Sequence, residues 1–386
     1  MATCVERLAE QLASLDREDL RRHRRVLDSP QGARVQLGGR TLLNFSSNDY
    51  LGLANDPAIA RAMRDGLERF GTGAGASPIV SGHARAHEEA EQRFAAFCGL
   101  PRALMFPSGY AANIGILTVL GGRDAEIFGD RLNHACLHDG ARLSRSAFTR
   151  YGHRDVEELA RALAASRAPT RIVATDAVFS MDGDLAPLPE LLELCERYDA
   201  WLVVDDAHGV GVLGERGRGS LEHFGIASAR IVYMATLGKA LGGYGAFVAG
   251  HEDAIEWIMQ RARTYIFSTA LPAAIALAAV AALERVERDP ELVARLRSRI
   301  SEFRAACAAR GLAPLPSTTA IQPFVLGEPA RALEASVRLQ AEGFLVPAIR
   351  PPTVPQGTAR LRVSLSAAHD SGDLEQLADA LARCLR

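Results

Sequence analysis

Hydrophobic and polar positions follow two different patterns along the chain. From about residue 55 to 285, short apolar runs typical of strands alternate with amphipathic stretches typical of helices. This alternation indicates an α/β domain with a mostly parallel sheet. Beyond it, long helical stretches bracket shorter apolar runs, which is the pattern of a smaller α+β domain. We therefore predict a large domain over 46–285 and a small domain over 286–386, with segment 1–45 packing with the small one.

The elements outside the large domain follow from the same periodicity. Residues 5–28 predict a helix with a cluster of arginines near its end, and 38–48 predict a turn followed by an extended segment. The small domain is predicted to contain helices over 288–310, 329–342 and 370–386, and strands over 344–349 and 361–365.

Composition and charge exclude several classes of function. The 386 residues carry a formal net charge of −2, so no strong field favours nucleic acid or a membrane surface. Residues 1–20 lack the apolar core of a signal peptide, and the most apolar run, 271–283, is shorter than the roughly 20 residues of a spanning helix. The six cysteines are scattered without metal-ligand spacing, which suggests a reducing compartment. We expect a cytoplasmic protein without a metal site.

Lysine is almost absent from the chain. Of the 44 lysine and arginine residues, only Lys239 is a lysine. Arginine replaces lysine on solvated surfaces and in ion pairs, but its guanidinium stays charged and cannot lose a proton to attack a carbonyl. The local sequence T-L-G-K-A-L-G-G surrounds Lys239 with small residues that allow a flat ligand to approach closely. These features favour a chemical role for Lys239 over a chance occurrence.

Three apolar runs of the large domain end in polar side chains. The run 171–180 ends in Ser180, the run 201–205 in Asp205, and the run 231–236 in Thr236, shortly before Lys239. Ligands of open α/β sheets bind outside the carboxyl ends of the strands. We therefore expect these polar residues to converge on one site.

The same region supplies each group that pyridoxal phosphate needs from a protein. Lys239 would hold the aldehyde as a Schiff base, and Asp205 would keep the ring nitrogen protonated by charge pairing. Ser180 and His208 are candidates for the phenolic oxygen, and His134 for stacking on the ring. The phosphate would bind at Gly109 and Tyr110, where P-S-G-Y precedes a helical stretch, with Thr236 adding a hydroxyl.

Each motif alone has an ordinary structural explanation. A D-x-x-H sequence is more often an ion pair in a loop, Ser-Gly before a helix is usually an N-cap, and a lone histidine such as His134 is most often a polar loop residue. The ordered set carries the hypothesis, because chance assembly of all its members in one chain is improbable.

At these residues the sequence resembles the α-oxoamine synthases, a group of fold-type I pyridoxal-phosphate enzymes. The resemblance covers nearly the whole chain and rests on N-F-S-S-N-D-Y-L-G-L (44–53), F-S-M-D-G-D-L-A-P-L (179–188), V-D-D-A-H-G-V-G-V-L-G (204–214) and L-G-K-A-L-G-G (237–243). It implies a large α/β domain with a smaller α+β domain, a homodimer, and the condensation of an amino acid with an acyl thioester. It also implies catalytic roles for Lys239, Asp205 and His134.

The segment A-I-R-P-P-T-V-P-Q-G-T-A-R-L-R (348–362) is most similar to members of the group that join L-alanine to a pimeloyl thioester of coenzyme A or acyl carrier protein, a step of biotin synthesis. The resemblance places Arg21, His134 and Thr353 in contact with substrate, and Arg350 is a candidate for a bidentate pair with the substrate carboxylate. The run Arg21–Arg25 is equally compatible with a solvated helix face.

Three other functions remain open at this point. A member of the same group would join glycine to an acetyl thioester and would differ around residues 350–353. An aminotransferase of the same fold would move amino groups without releasing carbon dioxide. A binding or regulatory subunit without catalysis would be expected to lack the lysine, and Lys239 is present.

Overall fold

The structure is a computed structural model that describes residues 3–385. The chain divides into two compact units. One comprises Leu51–Ser180 and Asp184–Ala294, and the other comprises the remaining described residues. The domain boundaries at 45/46 and 285/286 stay a prediction. Among the described residues, no helix combines the length and the apolar character needed to cross a bilayer.

Strands occur in both units. In chain order they are β1 (Arg34–Leu37), β2 (Arg40–Asn44), β3 (Arg102–Phe106), β4 (Ala125–Asp130), β5 (Ala147–Tyr151), β6 (Thr170–Asp176), β7 (Ala200–Asp205), β8 (Ile231–Thr236), β9 (Ala246–Gly250), β10 (Ile321–Gly327), β11 (Phe344–Leu345), β12 (Ala348–Ile349) and β13 (Ala359–Ser364).

Helices connect these strands. They are α1 (Cys4–Arg17), α2 (Pro57–Phe70), α3 (Arg85–Cys98), α4 (Gly109–Leu120), α5 (Ala135–Leu143), α6 (Val156–Ala165), α7 (Leu188–Arg197), α8 (Ser220–Phe224), α9 (Glu252–Arg261), α10 (Arg263–Ile266), α11 (Ala273–Arg288), α12 (Pro290–Ala309), α13 (Pro329–Ala341) and α14 (Ser371–Leu385), with a π-helical turn at Pro78–Gly82.

The first unit is built on a seven-stranded sheet in the order β3-β9-β8-β7-β6-β4-β5. Only β9 runs antiparallel to its neighbours in this sheet, and the remaining pairs are parallel. The central strands β6, β7 and β8 are buried along most of their length and consist mainly of apolar residues, as expected for a sheet covered on both faces. The predicted α/β fold with a mostly parallel sheet is confirmed.

The register of this sheet aligns the carboxyl ends of its central strands. Asp176 of β6 lies beside Asp205 of β7, which in turn lies beside Met234 of β8. The amide of Ala177 donates to the carbonyl of Asp205 at 2.8 Å, so the pairing continues past the last residue of β6. The segments that follow β6, β7 and β8 therefore start from the same edge of the sheet.

The second unit contains two three-stranded sheets, β1-β2-β11 and β10-β13-β12. The sequence predicted one strand over 344–349, and this was wrong. Phe344–Leu345 pairs with β2, whereas Ala348–Ile349 pairs with β13 in the other sheet. Pro347 lies between the two short strands and has no amide hydrogen to continue a ladder. The helices predicted over 288–310, 329–342 and 370–386 are present as α12, α13 and α14.

The predicted N-terminal helix ends earlier than expected. Helix α1 stops at Arg17, and Asp19 adopts a left-handed backbone conformation with φ of 55°. The guanidinium of Arg350 donates to the carbonyl oxygens of Asp19 and Arg21, which a continuing helix would use for its own hydrogen bonds. The helix prediction for residues 18–28 was therefore wrong because a contact with a residue distant in sequence replaces helical bonding.

A buried ion-pair cluster joins the ends of β4 and β5 to the segment after β6. His153 lies 3.1 Å from Asp130 through Nδ1 and 2.9 Å from Asp184 through Nε2. Burial lowers the pKa of His153, but the hydrogen bonds to Asp130 and Asp184 outweigh that effect and raise it to about 9. His153 is therefore charged at neutral pH and neutralises Asp130, which is 1% exposed.

Replacing His153 by alanine is expected to lower the free energy of unfolding by about 3 kcal/mol at pH 7, because it leaves a buried carboxylate without its partner. The raised pKa makes this contribution complete below about pH 6.5 and progressively lost as the pH rises through about 9. Urea denaturation at pH 7 and pH 10 measures both values. The exposed His223 provides the control, since His223→Ala removes no buried partner. An equal loss for both variants would contradict the role of the cluster.

Candidate active site

The site lies at the carboxyl edge of β6, β7 and β8, where two carboxylates and the single lysine of the chain come together. Asp205 ends β7 and is 5% exposed, Asp176 ends β6 and is 4% exposed, and Lys239 follows β8 by three residues. The charge of Lys239 acts on the pKa values of His134, Cys136 and Asp176. The structure thus brings Lys239, Asp205 and His134 into one electrostatic neighbourhood.

Both oxygens of Asp205 are fixed by hydrogen bonds. The side-chain amide of Asn113 donates to Oδ2 at 2.7 Å, and the backbone amide of Ala207 donates to Oδ1 at 2.9 Å. Asn113 is fully buried in α4, and its own Oδ1 has no hydrogen-bond partner. Charge-assisted bonds of this kind hold a carboxylate in one orientation. The side chain of Asp205 is therefore held in one orientation at the site.

His134 is held at the start of α5 by its backbone and by Cys136. The amide of His134 donates to Asp176 Oδ2 at 2.6 Å, and its Nδ1 lies 2.8 Å from Cys136 Sγ. The same thiol lies 3.9 Å from Asp205 Oδ2. A chain of contacts therefore runs from Asp176 through His134 and Cys136 to Asp205, and it fixes the position of the imidazole ring.

Burial governs the ionisation of this cluster. It lowers the pKa of His134, and although the charge of Asp205 opposes this change, the charge of Lys239 adds to it. Burial and the neighbouring charge of Asp205 raise the pKa of Asp176 well above its usual range. The imidazole of His134 is consequently neutral at pH 7, and the site favours a cationic partner for its carboxylates.

Helix α4 begins at the same edge of the sheet. Ser108 caps it through a 3.2 Å hydrogen bond from the amide of Ala111, and Gly109 is its first residue. A methyl group added at Gly109 would lie 3.3 Å from the Cε atom of Met234, so glycine lets the helix start close to the end of β8. The side chain of Tyr110 donates to Asp139 of α5 at 2.6 Å. This helix start offers amides to an anion.

The remaining predicted residues of this unit lie at the ends of the strands or in the turns that follow them. Ser180 follows β6 in the turn before Met181, and His208 follows β7 and is 8% exposed. The hydroxyl of Thr236 donates to the carbonyl of Gly245 at 3.0 Å and accepts from the amide of Gly238 at 3.3 Å. Thr236 therefore shapes the turn that leads from β8 to Lys239.

Arg21, Arg350 and Thr353 lie in the second unit, where they line one cavity of about 420 Å³ together with further basic side chains. Arg22 donates to the hydroxyl of Thr353 at 3.2 Å, and Arg21 pairs with Asp16 at 2.6 Å. Burial and the charge of Arg22 lower the pKa of Arg350, whose guanidinium also contacts backbone carbonyls. The cavity is thus suited to an anionic group.

The sequence argument missed three residues of the site. Asp176 was hidden because the run 171–180 was taken to end at Ser180, whereas the strand ends four residues earlier. Asn113 carried a weak signal as the one side-chain amide in a mostly apolar helix. Cys136 carried none, since its role depends on contacts with His134 and Asp205 that only the folded chain creates.

Comparison with known proteins extends these observations. The profile of the family described as aminotransferase class I and II matches residues 40–381. An 8-amino-7-oxononanoate synthase of Methylobacillus flagellatus is 55% identical over 98% of this chain and 96% of that protein. The synthase of the same name from Methylococcus capsulatus is 54% identical, with 97% of both chains covered.

Solved structures of two enzymes superpose on most of this chain. A serine palmitoyltransferase of Sphingomonas wittichii superposes with a TM-score of 0.93 and 28% identity, covering 99% of this chain and 98% of that one. An 8-amino-7-oxononanoate synthase of Francisella tularensis has a TM-score of 0.77 and 30% identity, covering 89% and 97%. The chain therefore belongs to the class I and II aminotransferase family and, within it, to the 8-amino-7-oxononanoate synthases.

Proposed function

We propose that this enzyme condenses L-alanine with a pimeloyl thioester, giving 8-amino-7-oxononanoate, carbon dioxide and the free thiol in biotin synthesis. The observation that carries the proposal is the convergence of Lys239, Asp205 and His134 at one sheet edge, in a chain 55% identical to a synthase of that activity. The acyl group would be carried by coenzyme A or by acyl carrier protein.

The donor set fits pyridoxal 5'-phosphate as the cofactor. Asp205 and Asp176 place two buried carboxylates side by side, and a protonated pyridine ring beside Asp205 would compensate this charge. Lys239 is the amine for the cofactor aldehyde, and the neutral ring of His134 is suited to stacking. When bound, the cofactor supplies an electron sink for charge that develops on the amino acid.

Further residues would hold the other parts of the cofactor. The start of α4 at Gly109 and Tyr110 would bind the phosphate through backbone amides, with the hydroxyl of Thr236 as an additional donor. Ser180 and His208, at the ends of neighbouring strands, would bond the phenolic oxygen. Asn113 would keep Asp205 oriented toward the ring nitrogen.

Lys239 would also act on the substrate. With the cofactor bound, its amine would accept the proton from Cα of the amino acid and would later return a proton to the same carbon. Arg350 would bind a substrate carboxylate, with Arg21 and Thr353 also contacting substrate, since all three line the same basic cavity.

Asn113→Ala is expected to weaken binding of the cofactor about tenfold, because it removes a charge-assisted hydrogen bond that orients Asp205. Equilibrium dialysis with pyridoxal 5'-phosphate measures the change. Thr118→Val is the matched control on the same helix, since the hydroxyl of Thr118 bonds only the backbone of α4. Unchanged affinity in Asn113→Ala would show that Asn113 has no part in orienting Asp205.

We also place the enzyme in the cytoplasm as a homodimer, in which Phe267, Ser268 and Thr269 reach the phosphate of the partner. Phe267 is 70% exposed, which suits a surface that meets a second copy. Analytical ultracentrifugation of the active protein is expected to give the mass of two chains. A fully active monomer would contradict this arrangement.

Thiol release tests the function directly. The enzyme is expected to release thiol from a pimeloyl thioester with L-alanine, and to release little from an acetyl thioester with glycine. The opposite result would keep the role of Lys239 but would make the protein a synthase of amino-ketobutyrate. No release with either pair would remove the proposal altogether.

A further inference from the structure

A cluster of metal-binding side chains lies outside the proposed active site, at the start of α3. His83 Nε2 lies 3.2 Å from Glu88 Oε2 and 4.0 Å from Glu91 Oε2. The three potential ligand atoms lie within 4.8 Å of one another. Ligand atoms around a divalent ion with bonds near 2.1 Å are separated by roughly 3 to 4 Å. Small side-chain movements would therefore suffice to enclose an ion.

Glu91 is the most buried residue of this cluster. It is 8% exposed, and its Oε1 accepts a 2.8 Å hydrogen bond from the amide of Met105. Its other oxygen, Oε2, accepts no hydrogen bond from any described residue and faces His83. A cation bound beside this oxygen would compensate the charge of a carboxylate that is largely removed from water.

Neighbouring residues orient the other ligands, and the positive charge of Arg102 also acts on Glu91. Gln92 donates to Glu88 Oε1 at 2.8 Å, which leaves Oε2 directed toward His83. His87 already uses both ring nitrogens, with the amide of Ala84 and the carbonyl of Leu271. The guanidinium of Arg102 pairs with Glu256.

The surroundings leave room for an ion and its waters. His83, Glu88 and Glu91 line a cavity of about 560 Å³ within one unit. His83 follows the π-helical turn Pro78–Gly82, whereas both glutamates lie on α3, three residues apart. Residues three apart share a helix face. An ion here would join the turn to the helix.

We propose that His83, Glu88 and Glu91 form a site for a first-row divalent cation, with water completing its coordination. One imidazole with two carboxylates suits Mn²⁺ or Zn²⁺, whereas Ca²⁺ and Mg²⁺ prefer all-oxygen ligands. The ion would fix the turn at Pro78–Gly82 against α3. The site is independent of the proposed reaction, because none of its residues belongs to the cluster around Asp205.

The test uses the full-length protein with its cofactor, stripped of metal and titrated with manganese chloride. Loss of the electron paramagnetic resonance signal of free Mn²⁺ should show one bound ion per chain, displaced by zinc chloride. Glu91→Gln and His83→Ala should weaken binding more than tenfold, and Gln92→Ala about tenfold. Mn²⁺ should raise the thermal midpoint of the unmodified protein and leave that of Glu91→Gln unchanged.

Glu89→Gln is the matched control, because Glu89 is exposed on the same helix and is not a ligand. It should bind Mn²⁺ like the unmodified protein. His83→Ala keeps the test valid if Glu91→Gln does not fold, since His83 lies at the surface. The proposal is overturned if the unmodified protein shows no saturable binding, if the ligand variants bind normally, or if Glu89→Gln weakens binding equally.

Discussion

Replacing Lys239 by arginine is expected to lower kcat by about 10⁴-fold while the protein still folds. Arginine keeps the positive charge beside Asp205 and Asp176, but its guanidinium cannot lose a proton at neutral pH. It can therefore neither hold the cofactor aldehyde nor take the proton from Cα of alanine. Steady-state thiol release measures the loss, and far-ultraviolet circular dichroism with thermal denaturation verifies the fold.

The single lysine allows a second readout for this variant. Borohydride reduction of the unmodified protein with its cofactor should attach pyridoxal phosphate to Lys239, which peptide mass spectrometry can locate. The same treatment of Lys239→Arg should leave that peptide unlabelled. Substantial residual turnover in Lys239→Arg, or label at another residue in the unmodified protein, would contradict the assigned role.

Asp205→Asn is expected to lower kcat by about 10³-fold and to weaken cofactor binding. The substitution preserves the shape and the hydrogen-bonding size of the side chain but removes the charge that would keep the ring nitrogen protonated. An amide at this position also meets the donors of Asn113 and Ala207 with one oxygen instead of two. Thiol release and equilibrium dialysis of the cofactor measure the two effects separately.

Asp206 provides the matched control for this variant. It is adjacent and fully buried, but its Oδ2 accepts from Tyr233 and from the amide of Ser220, both at 2.6 Å. Burial raises the pKa of Asp206 to about 7, although those bonds oppose this change. Asp206→Asn should change stability and leave cofactor affinity close to that of the unmodified protein. Equal loss of affinity in both variants would remove the special role of Asp205.

The positions of the chemical groups at the sheet edge were predictable from sequence. Asp205 and Thr236 end strands whose apolar runs are visible in the chain, and Lys239 stands out because no other lysine accompanies it. Residues at the ends of parallel strands must face one edge once the sheet forms. Local pattern and sheet geometry together therefore fix this part of the site.

The residues that hold these groups in position were not predictable from local sequence patterns. Asn113 reaches Asp205 across 92 positions of sequence, and the contact depends on how α4 packs. The end of α1 depends on Arg350, which lies 331 positions beyond Asp19. The spacing of apolar residues shows which face of a helix or strand is buried. It does not show which distant side chain that face will contact. These contacts appear only with the tertiary structure.

The second unit shows the same limit of prediction from sequence patterns. A run such as 344–349 reads as one strand because it is continuously apolar, yet the folded chain assigns its two ends to different sheets. The helices α12, α13 and α14 were predictable because their periodic patterns are long. Long elements average over many positions, whereas a two-residue strand depends on its pairing partner.

The most direct test of the proposed reaction follows the carboxyl carbon of L-alanine. Carboxyl-labelled alanine is incubated with the enzyme, its cofactor and a pimeloyl thioester, and labelled carbon dioxide and free thiol are measured together. The account predicts that both appear in equal amounts, and that neither forms when the thioester is omitted or Lys239 is replaced. Transfer of the amino group to a keto acid, with the label retained in the product, would contradict it and would make the protein an aminotransferase.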